Sequence, residues 1–222
     1  QLNKVVNLSI KSYKYKLKTN HKQAEKLNAW INTCRAVYNL ALQTKIEAYQ
    51  TRFVVTSEKT KPLSLTKFDL IKQLPSLKKE FEWIKDVPSQ AMQNVIERMD
   101  KAYQSFFKGG GFPKYAKKGV YKSILFKQGI RYSSKHITLP KIGKIKYFNS
   151  KNIPDNSTVK NAIVSKEVDG YYISLVIEQI TEKKHFDPKS NNQAVGLDIG
   201  VNLFYALSNG QIKENPRILK SF

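Results

Sequence analysis

Apolar residues at alternate positions open the chain. Val6, Leu8 and Ile10, then Tyr13, Tyr15 and Leu17, are interleaved with Lys. That alternation predicts a strand over 4–18 with one packed face and one wet, basic face. Thr19-Asn20 closes it and can cap a helix. From about 21 to 50 the period lengthens, and Ala24, Leu27, Ile31, Cys34, Tyr38, Ala41, Leu42 and Ile46 fall on one helical stripe. Residues 51–64 read as loop. Thr66-Lys67-Phe68-Asp69 has the spacing of a helix start, for a short helix that Pro75 ends or kinks. Asp86-Val87-Pro88-Ser89-Gln90 opens a second long helix, with Pro88 in the first turn where its missing N–H costs little. Its apolar stripe is Ala91, Val95, Met99, Ala102 and Phe106, and Gly109-Gly110-Gly111 stops it.

Short strand-like runs follow at 122–127, 130–133, 136–139, 143–148, 158–166 and 170–178, with turn residues between them. Asp169-Gly170 joins two alternating runs and signals a hairpin. Strands at this spacing predict a small β-barrel or meander, with the N-terminal strand as its natural partner. The expected organisation is therefore α+β: a β-domain of 1–19 and 109–180, a helical insertion over 20–108, a polar linker at 181–193 containing Pro188, and a new unit over 194–222.

That last unit contains Val195-Gly196-Leu197-Asp198-Ile199-Gly200-Val201, a strand, a Gly turn and a second strand with one carboxylate where the first strand ends. An Asp between apolar neighbours is costly to bury unless a cation or hydrogen bonds compensate it. Three readings stand at this point: a metal ligand in an RNase H-like fold, a phosphate-facing turn of an actin-like or sugar kinase, and an Asp at the rim of an ordinary hairpin.

Charge changes the picture. Lys+Arg 39 against Asp+Glu 17 gives a net +22, and the excess is concentrated. Residues 101–154 carry thirteen Lys/Arg and no Asp or Glu, and residues 1–22 carry six Lys and no acid. Such blocks suit phosphate neutralisation with counterion release, and the ten aromatics of 101–154 add candidates for base stacking. Cys34 is the single cysteine, which excludes a disulfide framework and a complete zinc site within these residues; it is expected as a small buried hydrophobe. No run approaches the roughly 20 apolar residues of a membrane span. The lone cysteine and the lack of such a run lead to the expectation of a reduced, cytoplasmic setting with no membrane partner.

Five stretches, in order, carry a family resemblance: Cys34-Arg35-Ala36-Val37-Tyr38-Asn39; the helix end Lys101-Ala102-Tyr103-Gln104-Ser105-Phe106-Phe107; Gly111-Phe112-Pro113-Lys114; Ile137-Thr138-Leu139-Pro140-Lys141-Ile142-Gly143; and Gly196-Leu197-Asp198-Ile199-Gly200-Val201. With them the chain resembles the TnpB (OrfB) family of transposon-encoded proteins, relatives of type V CRISPR effector nucleases. The resemblance implies a wedge-type β-barrel interrupted by a recognition helical domain, then the first β-hairpin of an RNase H-like (RuvC) nuclease domain. It implies guide RNA from the transposon end as one partner, and double-stranded target DNA with a short adjacent motif as the other. It also implies cleavage with Mg2+ held by three acids, the first of which maps to Asp198. In a complete site Asp198 would help hold two Mg2+ ions.

The sequence stops at Phe222, before the positions of the family's Glu, last Asp and Zn2+ ribbon. One Asp cannot assemble a two-metal site, so these 222 residues alone are expected not to cut DNA. For nucleic-acid contact the candidates are Lys14, Lys16 and Lys18 on the first strand, and Lys114, Lys117, Lys118 and Lys122 after the glycines. Lys127, Arg131, Lys141, Lys144 and Lys146 extend the set along the later strands. Ser89, Gln90, Gln93 and Asn94 at the start of the second long helix are candidates for the adjacent motif, because Gln and Asn can pair with adenine edges. Competing readings are a nuclease-dead RNA-guided repressor, a general RNA-binding protein, and a kinase, which would need a second Gly-rich phosphate loop.

Overall fold

The computed structural model describes residues 6–51, 65–182 and 195–217. The first strand, β1 (Val6–Lys18), leads into α1 (His21–Thr51), a helix of 31 residues. Asn20 caps it: the Gln23 N–H donates to Asn20 Oδ1 at 2.8 Å, and Gln23 Oε1 accepts from the Asn20 N–H at 3.2 Å. Next come α2 (Lys67–Glu80), α3 (Glu82–Lys85) and α4 (Ser89–Phe107). Six strands follow: β2 (Ser123–Phe126), β3 (Arg131–Tyr132), β4 (His136–Leu139), β5 (Gly143–Tyr147), β6 (Ser157–Glu167) and β7 (Gly170–Glu182). Thr51, the first residue of the loop expected over 51–64, still belongs to α1; the rest of that stretch and the expected linker around Pro188 lie outside the described residues.

These strands form one sheet with β1 in its interior, in the order β2-β6-β7-β1-β5-β4-β3. The helices are thus inserted between one central strand and the rest of its own sheet. α1 packs on α4, α2 packs on α4, and both α1 and α4 reach β2. Trp30, Leu27 and Leu42 of α1, Met92 and Met99 of α4, and Ile137 and Ile173 of the sheet belong to one continuous core. The residues from Val6 to Thr181 make one compact unit.

Several expectations meet corrections here. The sheet has two ends, β2 and β3, so among the described residues it is a large antiparallel sheet and not the closed barrel expected. Alternation can predict strands, but it carries no signal for whether the outermost two meet. β1 also changes phase. Tyr15 and Leu17 are buried as expected, whereas Leu8 and Ile10 are 69% and 68% exposed. Counting by twos, Leu8 and Ile10 share the even face with Lys14, Lys16 and Lys18, because the apolar positions slip by one between Ile10 and Tyr13. Pro75 lies inside α2, which runs five residues past it. Burial of Leu70 and Leu74 and a Thr66–Asp69 capping box hold that helix despite the lost backbone bond. Pro88 is the residue before α4, one position earlier than expected. The two-residue loop of the last hairpin is Val168-Asp169, with Glu167 paired to Gly170.

The second unit holds β8 (Leu197–Asp198), β9 (Leu203–Leu207) and β10 (Ile212–Glu214), an antiparallel sheet in the order β10-β9-β8. Gly196 and Ser208 tie β8 to β9 twice. The Ser208 N–H donates to the Gly196 carbonyl at 2.9 Å, and the Gly196 N–H donates to Ser208 Oγ at 2.9 Å. No described helix is long and apolar enough to cross a membrane.

Candidate nucleic-acid interface

Over the second half of β1 and along β5 the side chains alternate between core and solvent. Tyr15, Leu17, Ile145 and Tyr147 are buried, while Lys14, Lys18, Lys144 and Lys146 are exposed and Lys16 is half-exposed. Register pairs Lys18 with Lys146 across the two strands. Five of the candidate lysines therefore share one face of the sheet. Aromatic rings lie among them: Lys14 and Lys16 sit over the Tyr172 ring at 4.7 and 5.9 Å, and Lys18 over Phe148 at 4.0 Å. Two of the five already have acidic partners. Lys14 pairs with Glu167 at 2.6 Å and Lys16 with Asp169 at 2.7 Å. The bond from Lys16, helped by the Tyr172 hydroxyl, holds the Asp169 carboxyl below its ordinary range, and the same contact raises Lys16. Lys18, Lys144 and Lys146 have no acidic side-chain partner among the described residues.

A second cluster forms around the start of α4. Lys78 donates to Ser89 Oγ at 2.9 Å and to the Val87 carbonyl at 3.1 Å. Lys141 donates to the carbonyls of Lys85 and Asp86 at 3.0 and 3.2 Å. Burial, with Lys141 nearby, lowers the Lys78 ammonium. Glu97 links the helix to the end of β2, accepting from Lys127 at 2.8 Å and from Asn94 at 3.3 Å. Gln90 and Gln93 are half-buried on the first two turns. Lys78 thus meets α4 at Ser89, Lys141 meets the backbone just before it, and Lys127 shares Glu97 with Asn94, whereas no contact of Gln90 or Gln93 with these lysines is seen among the described residues. Sequence reasoning missed Lys78; its proximity is tertiary and leaves no periodic signal.

The basic loop after α4 is positioned by the Cys34–Asn39 stretch. Asn39 clamps the backbone of Ala116, accepting from its N–H at 2.7 Å and donating to its carbonyl at 3.2 Å. Tyr38 packs on Tyr121 with ring centroids 6.1 Å apart. Arg98 lies over the Tyr121 ring, its guanidinium 4.6 Å from the centroid. Cys34 is fully buried and burial pushes its thiol up to about 12, as a packing residue requires. Lys114, Lys117, Lys118 and Lys122 project from this loop into solvent, and Arg131 is exposed on β3. At the helix end, Gly109 adopts φ +91° and the Gly110 N–H reaches back to the Ser105 carbonyl at 2.9 Å, a Schellman closure.

Asp198 is exposed at the end of β8, with Ala206 opposite it on β9. No group of three or more His, Cys, Asp or Glu side chains that could hold a metal ion occurs among the described residues. Asp198 therefore belongs to no such group, and one carboxylate does not fit a Mg2+ site by itself.

A family model described as a helix-turn-helix domain, of OrfB proteins of IS605 elements, matches residues 9–52. In this structure the described part of that match is most of β1 and the single helix α1. A protein of Escherichia coli (strain K12), "Putative RNA-guided DNA endonuclease InsQ", is 29% identical over 209 residues, covering 92% of this chain and 49% of that protein. These matches support the resemblance of the chain to the TnpB (OrfB) family. A second TnpB-like relative, "Putative RNA-guided DNA endonuclease" of Streptomyces pristinaespiralis, is 23% identical over 214 residues, covering 93% of this chain and 50% of that protein. The chain spans about half the length of these curated relatives.

Proposed function

We propose that this chain is the guide-binding and target-binding part of an RNA-guided, metal-dependent DNA endonuclease of an insertion-sequence transposon. The observation that carries the reading is the β1–β5 face, where five lysines and two aromatic rings share one surface in a chain whose relatives are named as RNA-guided DNA endonucleases. Counterion release at such a face supplies affinity without sequence preference, and pairing with a guide supplies the specificity. In this reading the seven-stranded sheet does the work of the family's wedge domain and α1–α4 that of its recognition domain. Ser89, Gln90, Gln93 and Asn94 meet the adjacent motif in DNA. The β8–β10 sheet opens the RuvC-type nuclease domain, to which Asp198 contributes one acid.

The test is the nucleic acid that co-purifies with the chain. A discrete RNA matching the transposon end, retained through a high-salt wash, is expected. A mixture of cellular RNAs released by salt would overturn the reading and leave a general RNA binder. Asp198→Ala in the full-length protein abolishes Mg2+-dependent cleavage and leaves RNA binding intact; retained cleavage refutes the role of Asp198.

A further inference from the structure

A cleft of about 320 Å³ opens between α1, the Lys117–Tyr121 turn and the β6–β7 hairpin. Its size is at the small end of the range of about 300–1,000 Å³ seen for small-molecule sites, so it admits a nucleotide-sized group and excludes a duplex. Ile31 and Tyr121, both buried, form an apolar floor. Asn28 and Asn32, one helical turn apart on α1, place amides beside that floor. Lys118, Lys122 and Lys166 ring the opening.

The hydrogen bonds show which of these groups are free. Lys166 Nζ donates to Asn28 Oδ1 at 2.7 Å, leaving the Asn28 amide N–H groups available. Asn32, Lys118 and Lys122 have no side-chain partner among the described residues. Glu167 is the single acid at the cleft, and Lys14 pairs with it at 2.6 Å. The backbone fixes the spacing: the Lys166 N–H donates to the Lys122 carbonyl at 2.8 Å, and the Val120 and Tyr121 N–H groups return to the Lys117 carbonyl around Gly119. One turn beyond Asn32 on the same helix face, Arg35 Nε is buried without a hydrogen-bond partner.

An apolar floor with free amides beside it and unpaired ammonium groups above matches one chemical unit, a base with its phosphodiester. We propose that this cleft holds a single nucleotide of a bound RNA strand, with the base against Ile31 and Tyr121, Asn28 and Asn32 at its polar edge, and the phosphate at Lys118 and Lys122. The assignment rests on the reading that the chain binds guide RNA. It adds a discrete subsite, distinct from the β1–β5 face, at which an unpaired nucleotide leaves the path of the strand.

The experiment uses the whole chain and two fluorescent single strands, oligouridylate and oligothymidylate, titrated across a salt series. Lys118→Gln with Lys122→Gln removes two phosphate contacts, so the slope of log affinity against log salt falls by about 1.4 for RNA, at about 0.7 per contact. Lys160→Gln, on β6 and paired with Glu178 outside the cleft, leaves the slope unchanged. Asn32→Trp, which plugs the cleft without removing charge, lowers RNA affinity about fivefold at constant slope, with circular dichroism confirming the fold. Thiouridine placed along the RNA crosslinks to peptides containing Ile31 or Tyr121. RNA binding with an unchanged slope and no such crosslink overturns the cleft and leaves the proposed function standing. Failure of the unaltered chain to bind RNA overturns both. Effects confined to oligothymidylate overturn the assignment to RNA.

Discussion

Asn39→Ala removes the two hydrogen bonds that fasten Ala116 of the basic loop to α1 and leaves the one from the Tyr115 hydroxyl to Gln43. The bond from the Ala116 N–H is 2.7 Å and the one to its carbonyl 3.2 Å, and both are partly buried. A net bond contributes about 1 kcal/mol, and a donor left unsatisfied in a buried site costs about 1–3 kcal/mol. Ala116 is half-buried, so water can replace part of what is lost. The expected cost is therefore about 2 kcal/mol, set against the loop and not the whole fold. At 1.4 kcal/mol per tenfold, local opening becomes roughly thirtyfold more frequent. Hydrogen exchange read by mass spectrometry should show that acceleration for peptides over 111–120, while the buried turns of α1 and α4 keep their protection. Asn39→Asp keeps the acceptor and loses the donor, and should fall between the two. Unchanged exchange over 111–120 in Asn39→Ala would refute the clamp.

Asp100→Ala strands the Lys45 ammonium, which is paired at 2.9 Å with both side chains largely buried. A loss of about 3 kcal/mol in denaturant unfolding is expected, and Lys45→Met with Asp100→Leu recovers most of it. Gly110→Ala places a Cβ 2.8 Å from the Ser105 carbonyl oxygen and costs about 1–3 kcal/mol, while Gly111→Ala, with nothing within 4 Å, is neutral. Equal melting temperatures for the two would contradict that geometry. The hydrogen bond from Lys127, with Asn94, holds Glu97 below its ordinary value of 4.5. A depressed folded value gives stability that is present above 4.5 and lost as pH falls through the folded value. The acid limb of a melting-temperature profile should therefore be shallower in Lys127→Gln; an identical limb would sink the link.

Much of the fold was legible because its strands are half-solvated. Ile145 and Tyr147 alternate with Lys144 and Lys146, and such alternation names the strand, its packed face and its basic face together. The helical stripe of α1 was legible only in part. Trp30 and Val37 are also buried, because α1 is covered on a wider arc than one stripe, by α4 and by β2. α3 is a single turn and too short to show a period. The polar contacts were not legible at all. Asn39 and Ala116 are 77 residues apart, and Lys166 and Asn28 are 138 apart. For the same reason the free cleft lysines, Lys118 and Lys122, could not be told from the partnered Lys14 and Lys16: all four read as basic residues beside aromatics.

The same distinction bears on Asp198. Its neighbours Leu197 and Ile199 are 59% and 70% exposed, and Phe204 and Ile212 on the adjoining strands are also exposed. A three-stranded sheet with its apolar side chains in water has little stability of its own and acquires more only when a further surface covers it. The Asp198 side chain takes no part in that sheet's internal bonds: its carboxylate is exposed and has no side-chain partner among the described residues. Its removal should therefore change stability by no more than about 0.5 kcal/mol. Asp198→Ala is for that reason a clean probe of chemistry. Lost cleavage at an unchanged melting temperature assigns the carboxylate to the reaction, whereas a lowered melting temperature would show that it holds the sheet together.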